Sequence, residues 1–362
     1  MKRIGLEIFS GLILLLFIVG DLCGQVYLAP SDFPPPPFEL NSDSSVTDVD
    51  HRFKVDQTNR VSTDTGLTKT GSWGWGYCQS VVLNETHAFI GNGRIIQKLN
   101  ISDIKSIGID GEFETPDQVT SIVVYDDLLY ATYGGTLLVV DISGEGNPIQ
   151  VSRNLVSPSL NKSIILKYPY LYILTWRSII ILDVSDPSNP LYLGGIGALE
   201  HVQSIVVRDG FIYLCYAGFR TGFDVVDATD PTKPLYINWG INLRPVPDFA
   251  IKDSLLFVAV QGSGNNKLQL TSYDISNPYA ITELHTDTIA TEADSYGVYP
   301  SSITLRDSLL YIVTVDSGIY AVNVGDPFNP VLVGKVWREA TVDVPWESEL
   351  STNSGNILAA AT

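Results

Sequence analysis

One pattern governs what this chain can fold into: an apolar, β-branched run that ends in Asp or Asn and enters a turn dense in Pro, Asn and Ser. Its fullest copy is Ile179-Ile180-Ile181-Leu182-Asp183-Val184-Ser185-Asp186-Pro187-Ser188-Asn189-Pro190. The acid or amide position recurs at Asn100, Asp141, Asp183, Asp227, Asp274 and Asn323, at intervals of 41, 42, 44, 47 and 49 residues. A period of about 40–50 residues in β-rich units is a propeller signature, one four-stranded blade per repeat. Helical repeats of that length are disfavoured, because the units show period-2 and continuous apolar runs instead of a 3.6-residue period.

Each unit resolves into the same parts. A short inner strand a follows a Ser, as in Ser80-Val81-Val82-Leu83, Ser121-Ile122-Val123-Val124 and Ser302-Ile303-Thr304-Leu305. A tight polar turn such as Asp209-Gly210 leads to strand b, and a loop of variable length leads to strand c, which ends in the recurring Asp. The Asp-Pro turn then opens the outermost strand d, since its prolines suit a turn and cannot sit inside a central strand.

The ends bear on how a ring would close. Residues 350–360 match strand a, turn and strand b of a further unit, and the missing half is sought upstream. There Arg52-Phe53-Lys54-Val55 reads as strand c, and Gly66-Leu67-Thr68-Lys69-Thr70-Gly71 reads as strand d. The expectation is an all-β propeller of seven four-stranded blades, the last built from both termini, which would remove two open strand edges. The alternatives are six full blades or a truncated seventh.

Three segments follow. Lys2 and Arg3 precede a 12-residue apolar run from Ile8 to Val19, too short for a comfortable membrane span and suited to an export signal over residues 1–24. Residues 25–45, with Phe33-Pro34-Pro35-Pro36-Pro37, read as a semi-rigid tether. Residues 46–362 form the propeller. The expected setting is extracytoplasmic, secreted or envelope-associated, with membrane contact only through an uncleaved N-terminal anchor or a lipid on Cys23. Cys78 and Cys215 fall in different units, and no Cys/His spacing suits a metal.

The runs Leu137-Leu138-Val139-Val140-Asp141-Ile142-Ser143, Ile180 to Pro190 and Val225-Val226-Asp227-Ala228-Thr229-Asp230-Pro231 resemble the LVIVD-repeat family of exported β-propeller proteins, over roughly residues 80–334. The resemblance implies the fold and an exported setting. It implies no catalytic residues, because the shared motif is structural.

Function is sought away from the repeated motif. With 22 Lys+Arg against 40 Asp+Glu, a net charge of −18, the chain is poor material for nucleic acid or an anionic membrane surface. A calcium site needs about six to eight converging oxygens, which the recurring Asp does not supply. Its oxygen is expected instead to accept backbone N–H groups two residues on. Neither a metal nor another cofactor is expected. Because the strands alternate in direction, the uniform a–b and c–d turns share one end of the propeller, and the variable b–c and d–a loops share the other. Binding residues concentrate on variable loops, which nominates Trp73, Trp75, Tyr77, Trp176, Arg177, His201, Arg220 and Asp248 as ligand contacts. Glycine-interleaved rings in Gly71-Ser72-Trp73-Gly74-Trp75-Gly76-Tyr77 suit stacking on a sugar or on a partner's apolar anchor. The functional reading is a binding or scaffold module for a protein or glycan partner. The alternative is a propeller hydrolase or lyase of an extracellular polymer, which would need carboxylates converging among Glu200, His201, Asp248, Asp316, Arg177 and Arg220. No serine-hydrolase elbow, phosphate-binding loop or zinc motif is present in the sequence.

Overall fold

The computed structural model describes strand segments 3–9, 13–19 and 71–73, and residues 78–361 apart from 103–106, 159, 177, 198–201, 218–220, 242–243, 263–265, 292–297, 315–317, 337–348 and 353–356. Among these residues every regular element is a strand. Six antiparallel sheets each contain four strands in sequence order, the a-b-c-d meander of a propeller blade. Blade 1 comprises Cys78–Leu83, His87–Asn92, Ile95–Asn100 and Gly108–Glu114, and blade 2 Val119–Tyr125, Leu128–Tyr133, Thr136–Asp141 and Ile149–Leu155. Blade 3 comprises Asn161–Lys167, Tyr170–Thr175, Ser178–Asp183 and Leu191–Gly197, and blade 4 Val202–Arg208, Phe211–Ala217, Thr221–Asp227 and Leu235–Ile241. Blade 5 comprises Phe249–Lys252, Leu255–Gln261, Lys267–Asp274 and Thr282–Thr291, and blade 6 Pro300–Arg306, Leu309–Thr314, Gly318–Asn323 and Val331–Val336.

The continuous apolar runs follow from this stacking. Sheets packed face to face cover strands b and c on both sides, so those strands need not alternate polar with apolar residues. Ile179, Ile180, Ile181 and Leu182 are all buried, as are Leu171, Tyr172, Ile173 and Leu174 on the neighbouring strand. Each such side chain contributes roughly 1.5–3 kcal/mol of burial. The blades interlock through shared clusters: Tyr172, Leu174, Ile179 and Ile181 of blade 3 pack with Ile205, Ile212, Leu214 and Val226 of blade 4. Strand d has a covered face on one side only, and Leu191 and Tyr192 are exposed.

A second device sets the distance between blades. In strand d, the residue opposite the third-from-last position of strand c is Gly111, Ser152, Gly194, Asn238, His285 or Gly334. In blades 1 to 4 this position abuts the c–d turn of the next blade. A Cβ on Gly194 would lie 2.4 Å from the Pro231 carbonyl oxygen, and one on Gly111 would lie 2.2 Å from that of Gly146. Where a side chain is present it bonds that turn: Ser152 Oγ donates to Pro187 O at 2.7 Å, and Asn238 Nδ2 to Pro278 O at 2.6 Å. From strand c, Ser272 Oγ reaches Pro327 O at 2.9 Å, and the buried Lys98 Nζ donates to Ile142 O and Gly144 O at 3.1 and 2.8 Å.

Both chain ends enter one further sheet. Glu349–Thr352 pairs antiparallel with Ile357–Ala361, as the strand a and strand b expectation has it. The next strand outward is Ile13–Val19, running parallel to Ile357–Ala361, followed by Arg3–Phe9 and Gly71–Trp73. The expected third strand at 52–55 and residues 66–70 of the expected fourth lie outside the described residues. Glu349–Thr352 touches strand a of blade 6 on one side and strand a of blade 1 on the other.

Candidate functional site

The recurring acid or amide builds one turn six times. Asn100, Asp141, Asp183, Asp227, Asp274 and Asn323 each accept, on Oδ1, the backbone N–H two residues on, at 2.8–3.0 Å. These hydrogen bonds, from Ser143 and Ser185 among others, hold the exposed Asp141 and Asp183 carboxyls below the ordinary Asp value. A second Asx turn follows in the same loop, with Asp186 Oδ1 accepting Ser188 N–H at 3.0 Å and Asp230 Oδ1 accepting Thr232 N–H at 3.0 Å. Thus the most repeated polar atoms have their hydrogen bonds satisfied locally. Among the described residues no group of three or more His, Cys, Asp or Glu side chains is placed to hold a metal ion.

At the other end of the blades, the b–c and d–a loops carry the nominated contacts. Trp75, Tyr77, Arg177, His201 and Arg220 lie outside the described residues, as do Glu200 and Asp316, so the convergence an enzyme would need involves residues without described positions. Trp73 ends the short strand Gly71–Trp73, opposite Ile4. Trp176 is fully described. Thr175 Oγ1 accepts Ser178 N–H and donates to Ser178 O, both at 3.0 Å, which closes a tight b–c turn and leaves the indole 43 % exposed. Lys162 stands over the ring, its Nζ 4.5 Å from the centroid, and donates to Val202 O of blade 4 at 3.0 Å. It gains this position because strand a skips a residue between Asn161 and Ser163, a bulge that re-aims the extra side chain.

Beside that pair are buried amides. Gln118 Nε2, Asn154 Nδ2 and both polar side-chain atoms of Asn161 have no hydrogen-bond partner among the described residues. Chain geometry gathers them around the b–c turn of blade 2: Asn161 N–H donates to Gly134 O, Asn161 pairs with Thr175, Asn154 pairs with Leu137, and Gln118 precedes Val119, which pairs with Tyr133. Such orphaned groups are uncommon in folded proteins and call for an explanation. The sequence places Gln118 on a variable d–a loop but nominates none of the three as a contact, because an amide next to a loop gives no signal of being buried.

Asp248 has another role in the structure. It occupies the strand-a position held by Ser80, Ser121 and Ser204 in other blades. There, Ser80 Oγ accepts Ile122 N–H at 2.9 Å and Ser121 Oγ accepts Ile164 N–H at 3.2 Å, tying each blade to the next. Asp248 Oδ2 likewise accepts Ile303 N–H at 2.9 Å and the Ser302 hydroxyl at 3.2 Å, Oδ1 accepts Phe249 N–H at 2.9 Å, and Ser204 donates as well. The residue is part-buried, its carboxylate enclosed by these donors from three blades. Burial pushes its carboxyl above the ordinary Asp value, with the hydrogen bonds pulling the other way. Next to it the free thiol of Cys215 is buried and pushed well up by that burial, donating to Ser204 O and Pro247 O.

The LVIVD repeat family matches residues 117–155, 161–195 and 201–238, three consecutive repeats that coincide with blades 2, 3 and 4. Residues 117–238 thus carry three LVIVD repeats. No curated protein matches it in sequence. Among solved structures, this chain is similar to the WD40 domain of Pan2 from Neurospora crassa, with a TM-score of 0.53 at 9 % identity over 73 % of this chain and 80 % of that one. A functionally unknown protein from Desulfotomaculum acetoxidans gives a TM-score of 0.57 at 9 % identity, covering 75 % and 89 %. Hydrazine synthase from Kuenenia stuttgartiensis gives 0.51 at 14 % identity, covering 69 % and 77 %. At such identities the likeness concerns the fold alone.

Proposed function

We propose that this LVIVD-repeat propeller is an exported or cell-surface module that binds or scaffolds a protein or glycan partner through its b–c and d–a loops. The observation that carries the reading is a set of buried amide groups without a hydrogen-bond partner among the described residues, on Gln118, Asn154 and Asn161, with Asn161 next in sequence to Lys162 of the exposed Trp176–Lys162 pair. A partner's polar groups would satisfy the amides while Trp176 supplies apolar area at low conformational cost. Export is supported by the basic residues and short apolar run at the N-terminus. The charge of −18 argues against nucleic acid and anionic membrane surfaces as partners.

The test is a glycan array and a pull-down with the full chain, run in parallel with Trp176→Ala and with the double change Trp73→Ala/Trp75→Ala. Loss of a captured partner in the Trp176 variant supports the reading, and the arm that captures decides between glycan and protein. Equal capture by wild type and both variants would overturn it.

A further inference from the structure

The a–b turns take one form in four of the six blades; blade 1 departs with a self-capped turn, where Asn84 Oδ1 accepts the Thr86 and His87 N–H groups, and blade 3 departs in another way. The last residues of strand a in blades 1 to 6 are Leu83, Tyr125, Lys167, Arg208, Lys252 and Arg306, so four consecutive blades end in a cation. In four blades the next residue is an Asp in the left-handed region: Asp126, Asp209, Asp253 and Asp307, with φ of 49, 49, 51 and 53°. Asp tolerates that conformation, and two of these carboxylates pair with the preceding cation, Arg208–Asp209 at 3.0 Å and Arg306–Asp307 at 3.9 Å. Blade 3 has Tyr168-Pro169 where the Asp-led turn should be. Lys167 therefore has no adjacent carboxylate, and it makes no ion pair with any described residue. The Tyr168 ring lies flat against that of Tyr125, with centroids 4.6 Å apart and planes 5° apart, and both remain exposed.

Next to this departure a cavity of about 810 Å³ opens across blades 3, 4 and 5, with Lys167, Tyr170, Arg208, Asp209 and Asp253 in its wall. The volume falls within the range of about 300–1,000 Å³ usual for small-molecule sites. Its wall mixes donors and acceptors, which suits a polyhydroxylated ligand better than an apolar one. Tyr168, exposed and next in sequence to Lys167 of that wall, offers aromatic surface for the C–H face of a sugar ring, and Lys167, without an ion pair to any described residue, adds a point charge for an acidic substituent.

We infer that this end of the propeller, at Tyr125, Lys167, Tyr168 and the adjoining cavity, is a second binding site whose ligand is an acidic saccharide. It is independent of the loop-face reading, since it uses the opposite end of the blades.

The experiment titrates the full chain by calorimetry with a hexamer of galacturonic acid, with neutral maltohexaose and with hexaglutamate. Lys167→Glu and Tyr168→Ala change exposed side chains, and equal melting temperatures confirm that both variants fold. The acidic hexamer is expected to bind most tightly and to weaken more than tenfold with Lys167→Glu, the loss of a charge-assisted contact. Tyr168→Ala is expected to weaken both sugars by several-fold to about tenfold, while Trp176→Ala leaves them unchanged. No saturable binding of either sugar, or binding indifferent to both variants, would overturn the inference. Loss of binding in Trp176→Ala with retention in the other two would also overturn it and would point to the loop face. Hexaglutamate binding as well as the acidic hexamer would overturn the saccharide assignment.

Discussion

Gly194→Ala tests the contact that spaces the blades, and Gly197→Ala on the same strand is its control. A Cβ at Gly194 would meet Pro231 O at 2.4 Å and the Thr232 C and Cα atoms at 3.1 Å, whereas a Cβ at Gly197 meets nothing within 4 Å. All three neighbours of Gly194 are backbone atoms of the next blade's c–d turn, so no flexible side chain can give way. To regain ordinary contact the turn must retreat by about 1 Å, and overpacking of that kind costs about 1–3 kcal/mol. Replacing Gly by Ala also removes unfolded-state freedom, which by itself stabilises by about 0.4–1 kcal/mol. Gly197→Ala should show that gain alone, and Gly194→Ala should fall about 1–3 kcal/mol below it. Gly194→Ser should lose less than the alanine variant, because Ser152 at the equivalent place donates to the Pro187 carbonyl. Urea unfolding followed by tryptophan fluorescence reads these differences as shifts in midpoint at constant slope. Equal midpoints for Gly194→Ala and Gly197→Ala would refute the reasoning, since the turn would then not bear on strand d.

Three further outcomes follow from the hydrogen-bonding pattern. Asp248 has a raised carboxyl pKa in the fold, so the folded chain holds its proton to higher pH than the unfolded chain; this group's contribution to stability therefore falls as pH rises from the ordinary Asp value through the raised one. Asp248→Asn should flatten that part of the pH–stability curve, and Asp248→Ala, which strips the acceptor from Ile303 N–H, should cost about 1–3 kcal/mol in urea unfolding at neutral pH. Asp183 has the opposite sign: its lowered pKa favours the folded state above the unfolded value and that support is lost as pH falls through the folded one. Asp183→Asn should match wild type at neutral pH, as Asn100 and Asn323 do the same work, and lose less stability in acid melts. Finally, the buried Tyr130 hydroxyl has no hydrogen-bond partner among the described residues, whereas Tyr216 donates to Asp224 at 2.9 Å. Tyr130→Phe should be neutral or stabilising, and Tyr216→Phe should lower stability by about 1.5–3 kcal/mol in the same assay.

What could be read from the sequence was what each repeat does within itself. The Asp-to-N–H turn spans two residues, the hairpin turns span two, and the apolar runs of strands b and c are contiguous, so each leaves a local mark that recurs with the period. Contacts between blades leave none. Ser152 and Pro187, or Tyr279 and Asp227, lie 35 and 52 residues apart, and nothing in either segment names the other. Pairing of the termini has the same difficulty. Ile13–Val19 lies along Ile357–Ala361, nearly the whole chain away, while the sequence offered closer candidates at 52–55 and 66–71. For Trp176 and Asp248, residue type and place between strands were legible, but burial was not. Trp176 is exposed as a ligand contact must be, whereas the carboxylate of Asp248 is enclosed by donors.

A repeat protein offers its own standard for separating scaffold from site, because six copies of one position show what the fold requires there. Asp248 departs from the strand-a serines, but its oxygens still accept the next blade's N–H, so the fold accounts for the departure fully. Gly194, Ser152 and Asn238 differ from one another, yet each meets the same turn of the following blade. Tyr168 is of another kind. It displaces an Asp that would have led the turn and stood beside the preceding cation, and it places a second ring beside Tyr125 in water, where burial stabilises neither fully. A scaffold under selection for stability alone has no use for that exchange, since Asp at this position already satisfies turn geometry in four blades. The physical gain must then come from something that covers the rings and meets the charge of Lys167. That is why the a–b turn of blade 3, set against the Asp-led turn of four other blades, is a place to look for a ligand.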